Sequence, residues 1–176
     1  MIVERVWEEM HKAKTYLIQV ELYTDRMRKY NRIISFIIIL ASVVCASTAP
    51  YHNCKWVTII ASFLVAIATI IKECFPNLMQ PESELTELDK IHDFYKEYLQ
   101  KLEKLFTQRY DEKSDVDDKK MEKEFDKIIK TEGNNQSDLN RLCRKMTRKE
   151  REQCQSLASD YFQRVFNNNI KYGKQK

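Results

Sequence analysis

Apolar and polar positions along the chain fall into two regimes. From Ile33 to Cys54 there are 22 residues without Asp, Glu, Lys or Arg, and Ile33 to Ala49 reads IISFIIILASVVCASTA. After Lys55 comes a second uncharged run of 16, Trp56 to Ile71, WVTIIASFLVAIATII. Both runs are apolar on every face, as a lipid-exposed helix is. Each is about 25 Å long as a helix, slightly under a hydrocarbon layer of roughly 30 Å. Snorkelling Arg32, Lys55 and Lys72 extend the reach, and Tyr51 and Trp56 sit where belt aromatics belong. Pro50 to Asn53 read as the turn between the spans. The competing interpretation is two buried helices of a soluble protein.

Outside these runs apolar positions recur at three/four spacing. Val3, Trp7, Met10, Ala13, Leu17, Val20, Thr24 and Met27 form one stripe, which predicts a helix over 2–32 running without a break into the first span. An amphipathic helix lying on the membrane is the alternative, but Glu4, Glu8, Glu9 and Glu21 on its polar face favour packing. Pro76 and Pro81 mark a break, with Pro81 predicted at a first helical position. Leu88, Ile91, Tyr95, Tyr98, Leu102 and Leu105 predict a helix to about Arg109 or Tyr110. It pairs with a copy of itself or with the N-terminal helix; the pattern does not choose. Asp111–Lys120 reads as a solvated connection without the glycine and terminal glutamate of a calcium loop. Met121, Phe125, Ile128 and Ile129 predict a short helix ending near Gly133. Thr147 with Glu150 is a capping box for a last helix carrying Cys154, Leu157, Ala158, Tyr161, Phe162, Val165 and Phe166.

The predicted fold is therefore an all-α membrane protein: a cytosolic helix over 1–32, a transmembrane hairpin over 33–75 with spans at 33–49 and 56–71, and a cytosolic helical domain over 76–176. Composition sharpens this. The whole chain of 176 residues has a mean hydropathy of −0.56. Ile33–Ile71 sums to about +71, so the remainder averages roughly −1.2, too polar for one shared soluble core. Arg26, Arg28, Lys29, Arg32 and Lys72 flank the hairpin, against Lys55 alone in the connection. The positive-inside rule then puts both termini in the cytoplasm.

Candidate chemistry is sparse. Two glycines exclude phosphate-cradling and dinucleotide loops. Five cysteines lie at 45, 54, 74, 143 and 154 with no CxxC pair, and His11 and His92 match no zinc spacing, so neither metal nor cofactor is expected. Cytosolic thiols stay reduced, while Cys54 alone faces the oxidising side and could form an intersubunit disulfide. No nucleophile–base pair stands out, so the chain is expected not to be an enzyme. Arg141, Arg144, Lys145 and Arg148 form a basic cluster that could hold an anion or a partner, or be a solvated face balanced by Glu150 and Glu152. Without interleaved aromatics it does not suggest nucleic-acid binding. In the spans, Ser35, Ser42, Thr58, Ser62 and Thr69 are candidates for hairpin packing or a polar path. Two helices cannot enclose water, so a conducting form must be an oligomer.

YTDRMRKYNRIISFIIILAS (23–42) and WVTIIASFLVAIATIIKECFP (56–76), with the helical organisation around them, resemble the SLATT-domain proteins from about Val3 to Phe166. These are two-transmembrane effectors found beside bacterial nucleotide-signalling and other antiphage defence genes. The resemblance implies an oligomeric pore or channel in the bacterial inner membrane, silent until an upstream defence protein or a nucleotide signal acts. The competing functions are a membrane-anchored helical scaffold, or a receptor that restrains a cytosolic partner without conducting.

Overall fold

The computed structural model describes residues 2–48, 55–74, 81–110, 117–143 and 146–167. The expected turn at 50–53, Cys54, the Pro76 break, residues 111–116, Arg144 and Lys145 lie outside them. The described residues are helical, with no strand. Six α-helices follow in order: α1 (Ile2–Thr48), α2 (Lys55–Cys74), α3 (Glu82–Tyr110), α4 (Asp118–Lys130), α5 (Asn135–Leu142) and α6 (Arg148–Phe162). A five-residue π turn, Gln163–Asn167, extends α6.

The 47 residues of α1 contain neither glycine nor proline, so nothing interrupts the hydrogen-bond ladder. The Pro81 carbonyl accepts from the Glu84 and Leu85 amides at 3.0 and 3.1 Å, which places Pro81 at the cap of α3, one residue before its expected position. Gly133 has φ +51°, a left-handed conformation that ends the α4 region at little cost only for glycine. At α6 the capping box forms in both directions: the Glu150 amide donates to Thr147 Oγ1 at 3.3 Å, and the Thr147 amide donates to Glu150 Oε2 at 2.7 Å.

The chain divides into two compact units, a helical body of residues 1–23 with 86–176 and an apolar unit of residues 24–85. The body's core takes Val6, Met10, Ala13, Leu17 and Val20 from α1, and all six predicted positions of α3 from Leu88 to Leu105. Met121, Phe125, Leu139, Leu142, Cys154, Ala158 and Phe162 complete it. The partner of α3 is thereby settled within one chain. Tyr98 bonds Glu9 of α1, and the Phe106 ring lies 5.4 Å from Trp7. Trp7 also meets Phe162 at 5.2 Å and Phe166 at 5.5 Å, so α6 and the π turn that extends it each bring one ring onto the same indole. Offset and edge contacts of this kind add roughly 0.5–1.5 kcal/mol per pair to the area they bury.

The apolar unit is built the other way. Between Ile33 and Ile70 its buried positions are small: Ala41 on α1, Ala61 and Ala68 on α2. The two helices meet where Cys45 Sγ donates to the Thr58 carbonyl at 3.7 Å and lies 3.4 Å from Ser62 Oγ. Small residues let helix backbones approach closely, which suits packing without a hydrophobic driving force. The large residues point outward instead. Phe36 is 64% exposed and Trp56 77%, and fourteen large apolar side chains between Ile33 and Ile70 are exposed in all. One helix, Ile2–Ser47, contains a segment long and apolar enough to cross a membrane, by length and composition. In α2 the apolar stretch Trp56–Ile70 is shorter than a usual span.

Candidate functional site

The polar chemistry of the body concentrates where α1, α3 and the start of α5 converge. Glu9 and Lys12 lie one turn apart on α1, and the Lys12 ammonium reaches Glu9 at 3.3 Å and Glu132 at 3.5 Å. The Tyr98 hydroxyl donates to Glu9 Oε1 and the Tyr95 hydroxyl to Glu132 Oε1, each at 3.1 Å. The Gln136 amide donates to the Tyr16 hydroxyl at 2.8 Å, and Lys12 sits 5.7 Å over the Tyr16 ring. The two carboxylates are only 16% and 12% exposed. Burying them is tolerable because each gains a cation and a phenol in exchange for water.

Two carboxylates against one ammonium leave the cluster with a net negative charge. Burial opposes the charge on Lys12, yet the Glu9 and Glu132 carboxylates outweigh it and hold the ammonium above its ordinary value. Burial pushes the Tyr95 and Tyr98 phenols up, and the carboxylate each one faces pushes further. Tyr16 is also raised, burial outweighing the nearby ammonium. All three phenols thus stay protonated; Tyr95 and Tyr98 donate to the carboxylates, while Tyr16 accepts from Gln136. The cluster binds helices together.

Beside it an open groove of about 580 Å³ runs along α1 and α6, lined by Trp7, Glu8, His11, Lys12, Thr15, Tyr16, Gln155 and Ser159. It contains the one histidine–serine contact among the described residues, His11 Nε2 to Ser159 Oγ at 3.0 Å. The Ser159 hydroxyl has a single proton, and it donates that proton to the Gln155 carbonyl at 3.0 Å. With that proton on the Gln155 carbonyl, the matching His11 tautomer donates through Nε2 to the Ser159 oxygen. The contact fastens α1 to α6.

The basic cluster expected from the sequence resolves into surface ion pairs. Arg141 donates to Glu87 at 2.8 Å and to Asp138 at 3.5 Å. Arg148, 92% exposed, pairs with Glu152 one turn on at 2.8 Å. These two members of the cluster are balanced by acids on the same surface. No group of His, Cys, Asp and Glu among the described residues is arranged to hold a metal ion.

The hydroxyls of the apolar unit separate into two sets. Ser62 Oγ faces Cys45, and Thr58 meets the same thiol through its backbone carbonyl. Ser42 and Thr69 are exposed, and each donates back to its own helix, to the Ile38 carbonyl at 2.7 Å and the Val65 carbonyl at 2.8 Å. Ser35 is half-buried. The carboxylate–ammonium–phenol cluster was missed at the sequence level. Its only local trace is Glu9 and Lys12 at helical spacing beside an apolar stripe.

No family model, curated protein or solved structure matches this chain.

Proposed function

We propose that the chain is an oligomeric effector of the bacterial inner membrane. In this reading α2 and the second half of α1 form a two-span hairpin with both termini cytoplasmic, and several hairpins assemble into a pore or channel. The observation that carries membrane placement is the set of fourteen exposed large apolar side chains on the apolar unit. At about 25 cal/mol per Å² each would leave roughly 1 kcal/mol of burial unrealised in water, and together as much as the net stability of a whole domain. Lipid removes that deficit. Alanines at 41, 61 and 68 close one chain's helices on each other, leaving the broad outer faces for lipid or neighbouring copies. The pore itself, the SLATT assignment and activation by an upstream defence protein or nucleotide signal rest on the resemblance of 23–42 and 56–76.

The test is expression of the full chain in bacteria while membrane potential and dye entry are followed, with and without a candidate activating partner. Depolarisation that Ser62→Leu or Thr69→Leu reduces, at unchanged assembly, supports a polar path along α2. Normal ion flux in both variants removes those residues from it.

A second reading is favoured by one contact pattern. The Ser42 and Thr69 hydroxyls are already spent on their own backbones, which suits a hairpin that only anchors a helical scaffold. Under that reading an unrelated hairpin preserves function and no leak accompanies it.

A further inference from the structure

The membrane reading leaves one charged surface unexplained. Along α1 of the apolar unit, Arg28, Lys29 and Arg32 are exposed, and Phe36, Leu40 and Val43 continue the same face at helical spacing. The opposite face carries the buried Met27 and Ala41. One outward stripe therefore changes from basic to apolar within a single turn, about 6 Å between Arg32 and Phe36.

We propose that Arg28, Lys29 and Arg32 form a binding site for the headgroups of anionic phospholipids. The inference rests on the membrane placement of the apolar unit and names the lipid class it meets. Three observations carry it. First, Arg28 to Arg32 rise about 6 Å along the axis, which matches a headgroup layer of roughly 5–8 Å on each side of the hydrocarbon. Tyr30, 48% exposed, lies at the same level, where amphipathic rings settle. Second, two of the three cations differ from those of the body. Among the described residues neither Lys29 nor Arg32 has an ion-pair partner, whereas Arg5, Lys12, Arg141 and Arg148 of the body are each paired. Third, the stripe continues from Arg32 into the exposed Phe36 and Leu40, so the basic and apolar halves adjoin on one helix face. A free anion would have no use for the apolar continuation at Phe36; a phospholipid uses both halves of the stripe. Each such cation strengthens binding to an anionic surface about five-fold.

The test uses the full chain reconstituted in bilayers of equal phosphatidylcholine and phosphatidylglycerol. The protein is released in mild detergent and its retained lipids are counted by native mass spectrometry. Wild type should retain phosphatidylglycerol at least five-fold over phosphatidylcholine. Lys29→Gln with Arg32→Gln should bring the ratio close to parity, while Lys119→Gln with Lys120→Gln, exposed on α4, should leave it unchanged. Glutamine keeps helix propensity, and circular dichroism checks that the variants stay helical. Equal retention by wild type, or a ratio unaltered by the first pair, overturns the site. Displacement of the lipid by millimolar inorganic phosphate makes it a free-anion site and also overturns it. Integration resistant to alkaline carbonate separates the two levels of inference. A chain that integrates without lipid preference loses only this site, and one that fails to integrate loses the membrane reading as well.

Discussion

Tyr98 of α3 donates its hydroxyl proton to Glu9 of α1 at 3.1 Å, across 89 positions of sequence. The acceptor also holds Lys12, so the bond ties the phenol to an ion pair rather than to an isolated carboxylate. A hydrogen bond to a charged group of this kind contributes roughly 1.5–3 kcal/mol. Tyr98→Phe should lower the stability of the body by about that amount. Combined with Glu9→Gln it should cost less than the two losses added. A double-mutant cycle by denaturant unfolding measures the coupling, and a value near zero would show that the two side chains do not act together.

Alkaline conditions should weaken the body. Tyr16, Tyr95, Tyr98 and Tyr161 all have raised phenol values, Tyr161 to about 12 through burial and the Glu103 carboxylate that its hydroxyl faces at 3.0 Å. Above pH 10 the unfolded phenols release protons while the folded ones keep them, so stability falls as pH rises. Lys12 acts in the same direction: its folded value is raised, and its contribution is complete below its unfolded value and lost as pH climbs through the folded one. Phenolate absorbance at 295 nm should lag behind that of free tyrosine and then rise together with loss of helical circular dichroism. Independent titration near pH 10 with helicity intact would refute it.

Gly133→Ala should destabilise by about 1 kcal/mol. The added Cβ meets only the Thr131 carbonyl oxygen at 4.0 Å, so there is room for it, and the cost is the left-handed φ alone. Gly133→Asn should cost less, because asparagine tolerates that region. Thermal unfolding of the two variants separates backbone strain from a steric clash, which would penalise asparagine more.

Trp7 is half-buried but touches three phenylalanines, so Trp7→Ala should cost about 2–4 kcal/mol, somewhat below a fully buried aromatic. Phe166→Ala should remove a smaller part and red-shift the Trp7 emission, read in a Trp56→Phe background. An unchanged spectrum would mean that the π turn does not hold Phe166 against the indole.

How legible the fold was depended on distance along the chain. Leu88 to Leu105 could be read in advance because burial repeats with the helix, and Thr147 with Glu150 because a capping box is three residues long. Val6 rather than Val3 is buried on α1, about one turn further along than the stripe suggested. The Lys12–Glu132 and His11–Ser159 contacts span 120 and 148 positions, and no local pattern encodes them. In the apolar unit, spacing drew attention to hydroxyls as packing groups. Ala41, Ala61 and Ala68 take buried positions there as well, since close approach rewards small side chains.

The helical body is assembled from both ends of the chain, with the apolar unit inserted between residues 23 and 86. This sets an order of events during synthesis. Trp7 leaves the ribosome about 155 residues before Phe162, a wait of roughly 8–30 s at ordinary elongation rates. Throughout that interval the apolar stripe of α1 has no α3 or α6 to cover it, while both apolar runs are translated. Under the proposed membrane placement, integration begins while the body is still open, and Phe162 and Phe166 close it only after both apolar runs have been made.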